Sequence, residues 1–545
     1  MRPLVSAMTT LRKSLLAALK SFLRGKSFLQ ALFAFWISPR KLKDQQHINV
    51  QPGRTSRTLA DFLKEAEELL LGPIEPERLR AFSSQLKSQF RERLQTHPEC
   101  MLPSFNHLLP SGKEIGQYLA LDVGGSTLRV ALVQLRGREV GGRGCEIVRM
   151  ISFKITPEIK RLEGMAFFDW MAMRIHEVLQ KDGVADSKNP IPMGLAWSFP
   201  VEQVSLGGGL LMGMGKGFLA TNGLLGQDLG EIIKFACQKR GLQVQLASII
   251  NDSTATLLSQ AYNHAETRFG LILGTGTNIA VHLPVSALSR FKYGTRPESW
   301  FDSASHVIVN TELGMFGHDI LPLTRWDELL NLSHPRPEFQ PLEHFLSGYY
   351  LGEICRLAIV EAVETAGLLG GELPPSLLDP YSLDTEILSR MEADTSLTHE
   401  KALVAFTSAH PCPIPATPAD ISVIRGLASF ISRRSAALLG AAVFSLWELR
   451  HETALEQACS TQPQEKLAVE DLASPPHTKV AFTGSVIEHY PGYLARCQTH
   501  IASLVAGAEN PILAAGSIDL VPAVESSIIG AAVALGCALN EGQVA

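Results

Sequence analysis

Two short clusters in this 545-residue chain carry residue types suited to moving a phosphoryl group. At Asn251-Asp252 an amide and a carboxylate stand side by side, directly after an apolar run at 246–250. A second apolar run, at 269–273, breaks into Gly274-Thr275-Gly276-Thr277. Backbone N–H groups and hydroxyls in such a turn can cradle a phosphate, because glycine lets an anion approach the main chain. A carboxylate beside the cradle can accept a proton from an alcohol. Base and cradle together are the minimum for phosphoryl transfer to a hydroxyl. A capped strand end followed by an ordinary hairpin uses the same residues, so this stretch alone leaves both readings open.

A related arrangement occurs at 117–135. An apolar strand meets Asp122, turns at Gly124-Gly125, offers Ser126 and Thr127, and returns through Arg129 and an apolar run. Asp122 is placed to hold a hydrated Mg²⁺, a hard cation that keeps several of its waters. Two hairpin turns of one kind, separated by helical sequence, predict two similar halves facing a common nucleotide. Further along, Lys216 stands between Gly215 and Gly217. A lysine is usually a solvated surface residue, but beside a cleft it would meet a developing negative charge.

These groups need strands and helices to aim them. The runs at 246–250 and 269–273 read as buried strands, and 193–200 as a strand leading into Ser198-Phe199-Pro200. Helical periodicity marks 58–95 and the set Phe167, Trp170, Met171, Ile175 and Val178. The segment 451–477 reads as a polar surface loop. Another exposed loop at 289–305, with Tyr293, Trp300 and Phe301, suits a partner.

Composition narrows the class. Hydrophobic residues make up 46% and charged residues 19%, which suits a globular chain rather than a disordered one. The net charge of −5 gives no reason to expect a nucleic-acid partner. Eight dispersed cysteines without a CxxC pair argue against a zinc site or a disulfide framework and suit a reducing compartment. Residues 1–43 differ from the rest, being basic, free of acids and amphipathic over Leu11–Arg24. Their apolar run at 28–37 is too short to span a bilayer, which needs roughly 20 residues. Such a segment suits mitochondrial targeting or in-plane contact with an anionic membrane surface. The expected location is therefore the mitochondrial outer surface or the cytoplasm, with 44–57 as a linker.

The motifs then line up in order: Asp122-x-Gly-Gly-Ser, Ser198-Phe-Pro, Lys216-Gly-Phe, Asn251-Asp252, Gly274-Thr-Gly-x-Asn278, Asn310-Thr-Glu312-x-Gly-x-Phe-Gly317 and Ser347-Gly-Tyr-Tyr-Leu-Gly-Glu353. With Thr483-Gly-Ser-Val-Ile-Glu-His-Tyr-Pro-Gly492, they resemble the hexokinases, most closely the fungal branch, over roughly residues 55 to 540. The resemblance implies an α/β, two-lobed actin-like ATPase (ribonuclease H-like) fold with an interlobe cleft. Its small lobe would comprise 110–250 plus about 528–545, its large lobe 58–109 plus 251–527, with 1–57 as the basic segment and linker.

The resemblance also implies transfer of the ATP γ-phosphate to the 6-hydroxyl of a hexose such as glucose, fructose or mannose. Asp252 would be the base, and Lys216 would neutralise charge near the attacking oxygen. Ser198, Asn251, Asn278, Glu312 and Glu343 would bind the sugar; one carboxylate can accept from two vicinal hydroxyls. Asp122 would orient hydrated Mg²⁺. Gly124, Gly125, Ser126, Arg129, Thr275 and Gly276 would meet the phosphates, with Gly484 and Ser485 beside the adenosine. The chain departs from the family pattern at one sugar-side position, Gly215, where the usual Thr contacts the sugar, and at several nucleotide-side positions. Met214-Gly215 stands where Trp-Thr is usual, and Thr483 where Asp is usual. Ile528 replaces a glycine, which would crowd the backbone or obstruct a nearby ligand. These departures keep a second reading in play, a weakly active or inactive hexokinase-like sugar sensor.

Overall fold

The computed structural model describes residues 57–138, 144–180, 190–215, 217–460 and 475–541. The chain divides into Met1–Arg57 and Thr58–Ala545, and the fold is that of the second unit. The basic segment and Lys216 lie outside the described residues.

The strands in chain order are β1 (Leu102–Pro103), β2 (Ile115–Val123), β3 (Thr127–Arg136), β4 (Cys145–Lys154), β5 (Ile191–Trp197), β6 (Val201–Gln203) and β7 (Gly209–Leu211). They continue with β8 (Val244–Ile250), β9 (Thr267–Leu273), β10 (Thr277–Pro284), β11 (His306–Asn310), β12 (His477–Thr483) and β13 (Ser517–Pro522). One sheet has the order β4-β3-β2-β5-β8, the other β1-β11-β10-β9-β12-β13, and β6-β7 form a small ribbon. In each large sheet an antiparallel three-strand meander, β2-β3-β4 or β9-β10-β11, is extended by two parallel strands. The same pattern therefore occurs twice, as the two matching hairpin turns predict.

Helices cover both faces of these sheets, so the strands read as apolar runs rather than as clean alternation. On β2, Leu119, Leu121 and Val123 face a cluster containing Phe167, Met171 and Ile175 of the Met165–Leu179 helix. Tyr118 and Ala120 face the opposite way, into a small-residue layer with Ala255, Ala531 and Leu535. That layer is built by the Asp252–Asn263 and Ser526–Glu541 helices. It also takes in Ala280 of β10 and Ile308 of β11, so it joins the two sheets.

Close approach there depends on two glycines. A Cβ on Gly270 would lie 2.2 Å from the Ser253 carbonyl, and one on Gly530 2.2 Å from that of Ala255. Either contact would push the Asp252 helix off its seat. The largest core packs β9–β11 against the Leu59–Leu71, Pro76–Thr96 and Pro418–Ser460 helices. The last of these is, among the described residues, long and apolar enough to cross a membrane, but its apolar window is almost entirely buried inside the fold. It is a core helix.

Three sequence expectations change. Residues 451–460 continue the long helix, with His451 and Thr453 buried, because the apolar face persists past the point where polar residues thicken. At 289–305 Tyr293 is buried and Trp300 and Phe301 are half-buried beside it. Tyr293, Trp300 and Phe301 pack edge-to-face or tilted, with ring centroids 5.0–5.5 Å apart. The Arg296 guanidinium sits over Trp300 and Phe105. The stretch stays largely exposed, as with Phe291 at 57%, while the three aromatics named from sequence pack on one another and on the core. The third is Ile528, which is fully buried in the layer between the sheets.

Candidate active site

Asp252 is positioned by the junction between β8 and the following helix. Asn251 caps that helix, its Oδ1 accepting from the Thr254 N–H at 2.9 Å. Such a cap stabilises a helix by about 1 kcal/mol. Asp252 is then the first helical residue, where the helix dipole favours a carboxylate, and its Oδ1 accepts from the Ser253 N–H at 2.8 Å. Capping uses the Asn251 carbonyl oxygen, so only its amide nitrogen is left for a ligand.

The β2–β3 turn delivers the second group. Gly124 N–H donates to the Thr127 carbonyl at 3.0 Å, closing the turn. Asp122 and Arg129 are cross-strand partners, 3.8 Å apart at their charged atoms. A cavity of about 510 Å³ opens here. Its lining includes Asp122, Gly124, Ser126, Arg129, Ser198 and Asp252 from the sequence-predicted set. Gly125, Thr275, Gly276, Gly484 and Ser485 do not line it. The last two pack on the β9–β10 turn instead: a Cβ on Gly484 would sit 2.2 Å from the Leu273 carbonyl, and Gly274 lies against the Ser485 N–H.

Among the lining residues, two acids had no role assigned from sequence. Glu525 precedes the last helix with φ +49° and pairs with Arg129 at 3.1 Å. Glu488 accepts from the Thr483 hydroxyl and the Gly484 N–H, both at 2.8 Å. Nothing in local periodicity marks either one, because the chain brings them in from far along. Ile528 does not line the cavity; Ser526 and Ser527 do. Of the two expectations for Ile528, obstruction of a ligand in this cavity does not hold, since helix geometry turns it toward the core.

The sugar-side residues form a connected chain. Asn278 Nδ2 donates to Asn310 Oδ1 at 2.8 Å, and Asn310 Nδ2 donates to Glu312 Oε1 at 2.6 Å. Asn278 Oδ1 accepts from the Ile279 N–H at 2.8 Å and the Leu313 N–H at 3.3 Å. Asn278 is thus largely committed to holding the Glu312 loop. Asn310, read only as part of a motif, is the amide that touches Glu312. Glu312 itself has a left-handed φ of +52°. Glu343 accepts from the Thr277 N–H at 3.2 Å. A Cβ at Gly276 would meet the Glu343 carboxylate at 3.3 Å, so glycine keeps that space open.

Burial raises the pKa of both Glu312 and Glu343, and the charge of Asp252 raises Glu312 further while Glu312 raises Glu343. Asp122 is pushed up to about 6, chiefly by burial, with Arg129 opposing and Asp252 and Glu525 adding to the rise. These couplings place Asp122, Asp252, Glu312 and Glu343 in one electrostatic neighbourhood. Gly215, in the loop before Lys216, has φ +62° with no heavy atom near its missing Cβ. Buried Met214 and Phe218 anchor the two ends of that loop.

Among the described residues no three His, Cys, Asp or Glu converge to hold a metal directly. The hard-oxygen Asp122, surrounded by excess negative charge, suits Mg²⁺ held through water. A divalent cation would offset both the burial and the neighbouring carboxylates that raise Asp122. Asp122→Asn is accordingly expected to weaken Mg²⁺–nucleotide binding while stabilising the apoprotein at pH 7.5 by about 1–3 kcal/mol. The sign follows from a folded-state pKa above the unfolded one. The ionised form penalises the native state at pH 7.5, and that penalty fades as pH falls through about 6. Thermal melts of both proteins from pH 7.5 to 4.5 should converge. A constant difference would contradict this account.

Twofold repetition of a meander plus parallel strands, with a carboxylate-lined cavity at the β2–β3 turn, defines the two-lobed actin-like ATPase fold. Hexokinase family models match residues 70–262 and 268–537. Hexokinase-1 of Schizosaccharomyces pombe is 30% identical over 398 residues, 72% of this chain and 79% of its own length. Hexokinase-2 of Candida albicans is 29% identical over 440 residues, 79% and 83% respectively. A structure of the Schistosoma mansoni hexokinase complexed with glucose is 26% identical, with a TM-score of 0.70, and covers 88% of this chain and 100% of that one. The chain belongs to the hexokinase family.

Proposed function

We propose that the protein transfers the γ-phosphate of ATP to the 6-hydroxyl of a hexose, glucose being the first to test. The observation that carries this reading is the grouping of Asp252 with the sugar-side acids Glu312 and Glu343 on one side and Asp122 of the phosphate turn on the other. Asp252 would accept the hydroxyl proton as that oxygen attacks. Glu312 and Glu343, each held by hydrogen bonds, would accept from sugar hydroxyls and fix the ring. Asn251 would donate from its amide nitrogen. Mg²⁺, held through water by Asp122, would supply charge neutralisation at the phosphates; Ser126 and the β2–β3 turn would orient them. Lys216 keeps the role assigned from sequence.

One observation favours the sensor reading. The cleft is lined by Asp122, Asp252, Glu488 and Glu525, with Arg129 the only Lys or Arg among its described lining residues. That is an unwelcoming surface for a polyphosphate without its metal. An assay coupling hexose phosphate formation to a dehydrogenase separates the two. Mg²⁺- and ATP-dependent turnover supports the kinase; hexose binding without turnover supports the sensor.

For residues 1–43 we propose contact with the mitochondrial outer surface, supported by their basic, acid-free amphipathic pattern. A reporter carrying residues 1–50 should then collect on mitochondria, and a diffuse cytosolic signal would sink the idea.

A further inference from the structure

At the ends of β10 and β11 remote from the sugar residues, His282, His306 and Arg450 meet, with Arg268 of the neighbouring β9 close enough to act on all three. His282 pairs with Ile308 and His306 with Pro284, so the two histidines are diagonal neighbours on adjacent strands. Their rings stack with centroids 5.0 Å apart and planes at 15°. Arg450 of the long helix donates through Nε to the His282 carbonyl at 3.1 Å. Arg268 of β9 donates through Nη1 to the carbonyls of Ala265 and Thr267. Neither guanidinium has a carboxylate within ion-pair distance among the described residues, and no further acceptor meets their remaining nitrogens.

The surroundings are cationic too. Arg138 acts on Arg268, and Lys479 stands beside His264 at 3.1 Å. His451 follows Arg450 in the long helix and feels its charge. Glu266 is the one acid acting on Arg268, and it is shared with Lys479 at 3.9 Å. Glu452, next to His451, is taken by Lys87 and Arg91. Burial, reinforced by repulsion among Arg268, Arg450, His282 and His306, pushes Arg450 down to about 9 and His306 to about 4.

His282 adds a second, independent sign. Its Nε2 lies 3.2 Å from the His107 carbonyl, which only accepts, so Nε2 carries the proton. Nδ1 is then a bare lone pair, and it is buried without a partner. A group that can deliver a proton to Nδ1 and remain an anion satisfies it in either charge state. Inorganic phosphate does this at neutral pH, and a phosphomonoester does so as its monoanion: the P–OH donates to Nδ1, or passes its proton there and accepts it back as a hydrogen bond. Guanidinium forks match the other oxygens in geometry and charge.

We propose that Arg268, Arg450, His282 and His306 form a binding site for a phosphate oxyanion, either inorganic phosphate or a phosphomonoester, separate from the nucleotide cleft. Its place in the fold gives it leverage. His107 lies in the segment linking β1 of one sheet to β2 of the other. Arg138, at the end of β3, donates to the carbonyls of Pro110, Ala261 and Tyr262 across the same junction. The far ends of β10 and β11 hold Asn278 and Asn310. An anion here would bridge β9, β10, β11 and the long helix beside the segment that links the two sheets.

The test is titration calorimetry of inorganic phosphate into the full chain at constant ionic strength set with chloride. Wild type should bind saturably, Arg129→Gln should keep this binding, and R268Q/R450Q should weaken it about 100-fold. That figure takes roughly tenfold for each guanidinium's charge-assisted bonds. If the double variant fails to fold by circular dichroism, Arg450→Gln alone should read about tenfold. No binding by wild type, or loss in Arg129→Gln with retention in R268Q/R450Q, overturns the proposal; the latter would put the phosphate in the nucleotide cleft. Competition by a hexose 6-phosphate in the Arg129→Gln protein identifies a phosphomonoester ligand. Binding of phosphate without such competition identifies the inorganic ion, and both support the site.

Discussion

Asp252→Asn is expected to lower turnover by about 10²–10⁴-fold, the usual contribution of a positioned general base, with hexose binding kept within several-fold. The substitution is nearly isosteric. Asparagine can still accept the Ser253 N–H through its oxygen, so the helix start should survive. What is lost is the capacity to take a proton as the hydroxyl attacks. Removing this charge should also lower the raised pKa values of Asp122 and Glu312, since Asp252 contributes to both. The coupled assay and a sugar-binding titration on the same preparation check this result. Turnover within about threefold of wild type would sink the base assignment, because a general base contributes far more. Equal loss of sugar binding and turnover would instead make Asp252 a binding residue.

Arg434→Met should destabilise the fold by about 3–5 kcal/mol, the cost of stranding a buried charge. Arg434 and Asp327 are almost fully buried and make a bidentate pair, both bonds 2.8 Å long. Asp327 also accepts from the Thr324 N–H and hydroxyl, capping the Arg325–Ser333 helix. Without the guanidinium, that carboxylate stays buried with neutral donors only. The effect should reach the site, because the Arg434 guanidinium also lies over the Phe345 ring at 4.4 Å. Phe345 belongs to the short Pro341–Leu346 helix that carries Glu343. Denaturant melts should therefore show the lost stability, and the sugar KM should rise. The double variant R434M/D327L separates the causes, since replacing both partners by apolar groups should recover much of the stability. A melt unchanged by Arg434→Met would contradict the argument.

Legibility from sequence followed the range of the interactions involved. Asp122 with Gly124, and Asn251 with Asp252, could be read directly because a strand end and a turn are decided within a few residues. Apolar runs stop where the backbone must turn, and the residue types at that point have few alternatives. The repeat of one hairpin pattern likewise predicted two similar halves, and the two sheet topologies agree. Ile528 was misread because its neighbours in sequence are cleft residues, while the side it turns to is set by the Asp252 helix packed against it. The half-burial of Trp300 and Phe301 depended on Arg296 and Phe105, a contact absent from local pattern.

The chain by itself determined its class and the acids available for chemistry, since periodicity, turn residues and ordered motifs are local properties that survive without coordinates. Only the tertiary structure decided how those acids are used. It committed Asn278 to positioning Glu312 through Asn310, seated Glu525 on Arg129, bound Glu488 to the turn at Gly484, and gathered Arg268, Arg450, His282 and His306 from four separate segments. The physical reason is that hydrogen bonds and charge repulsion act over a few ångströms in space, and residues hundreds of positions apart reach that range only when two sheets close on the pair of helices between them.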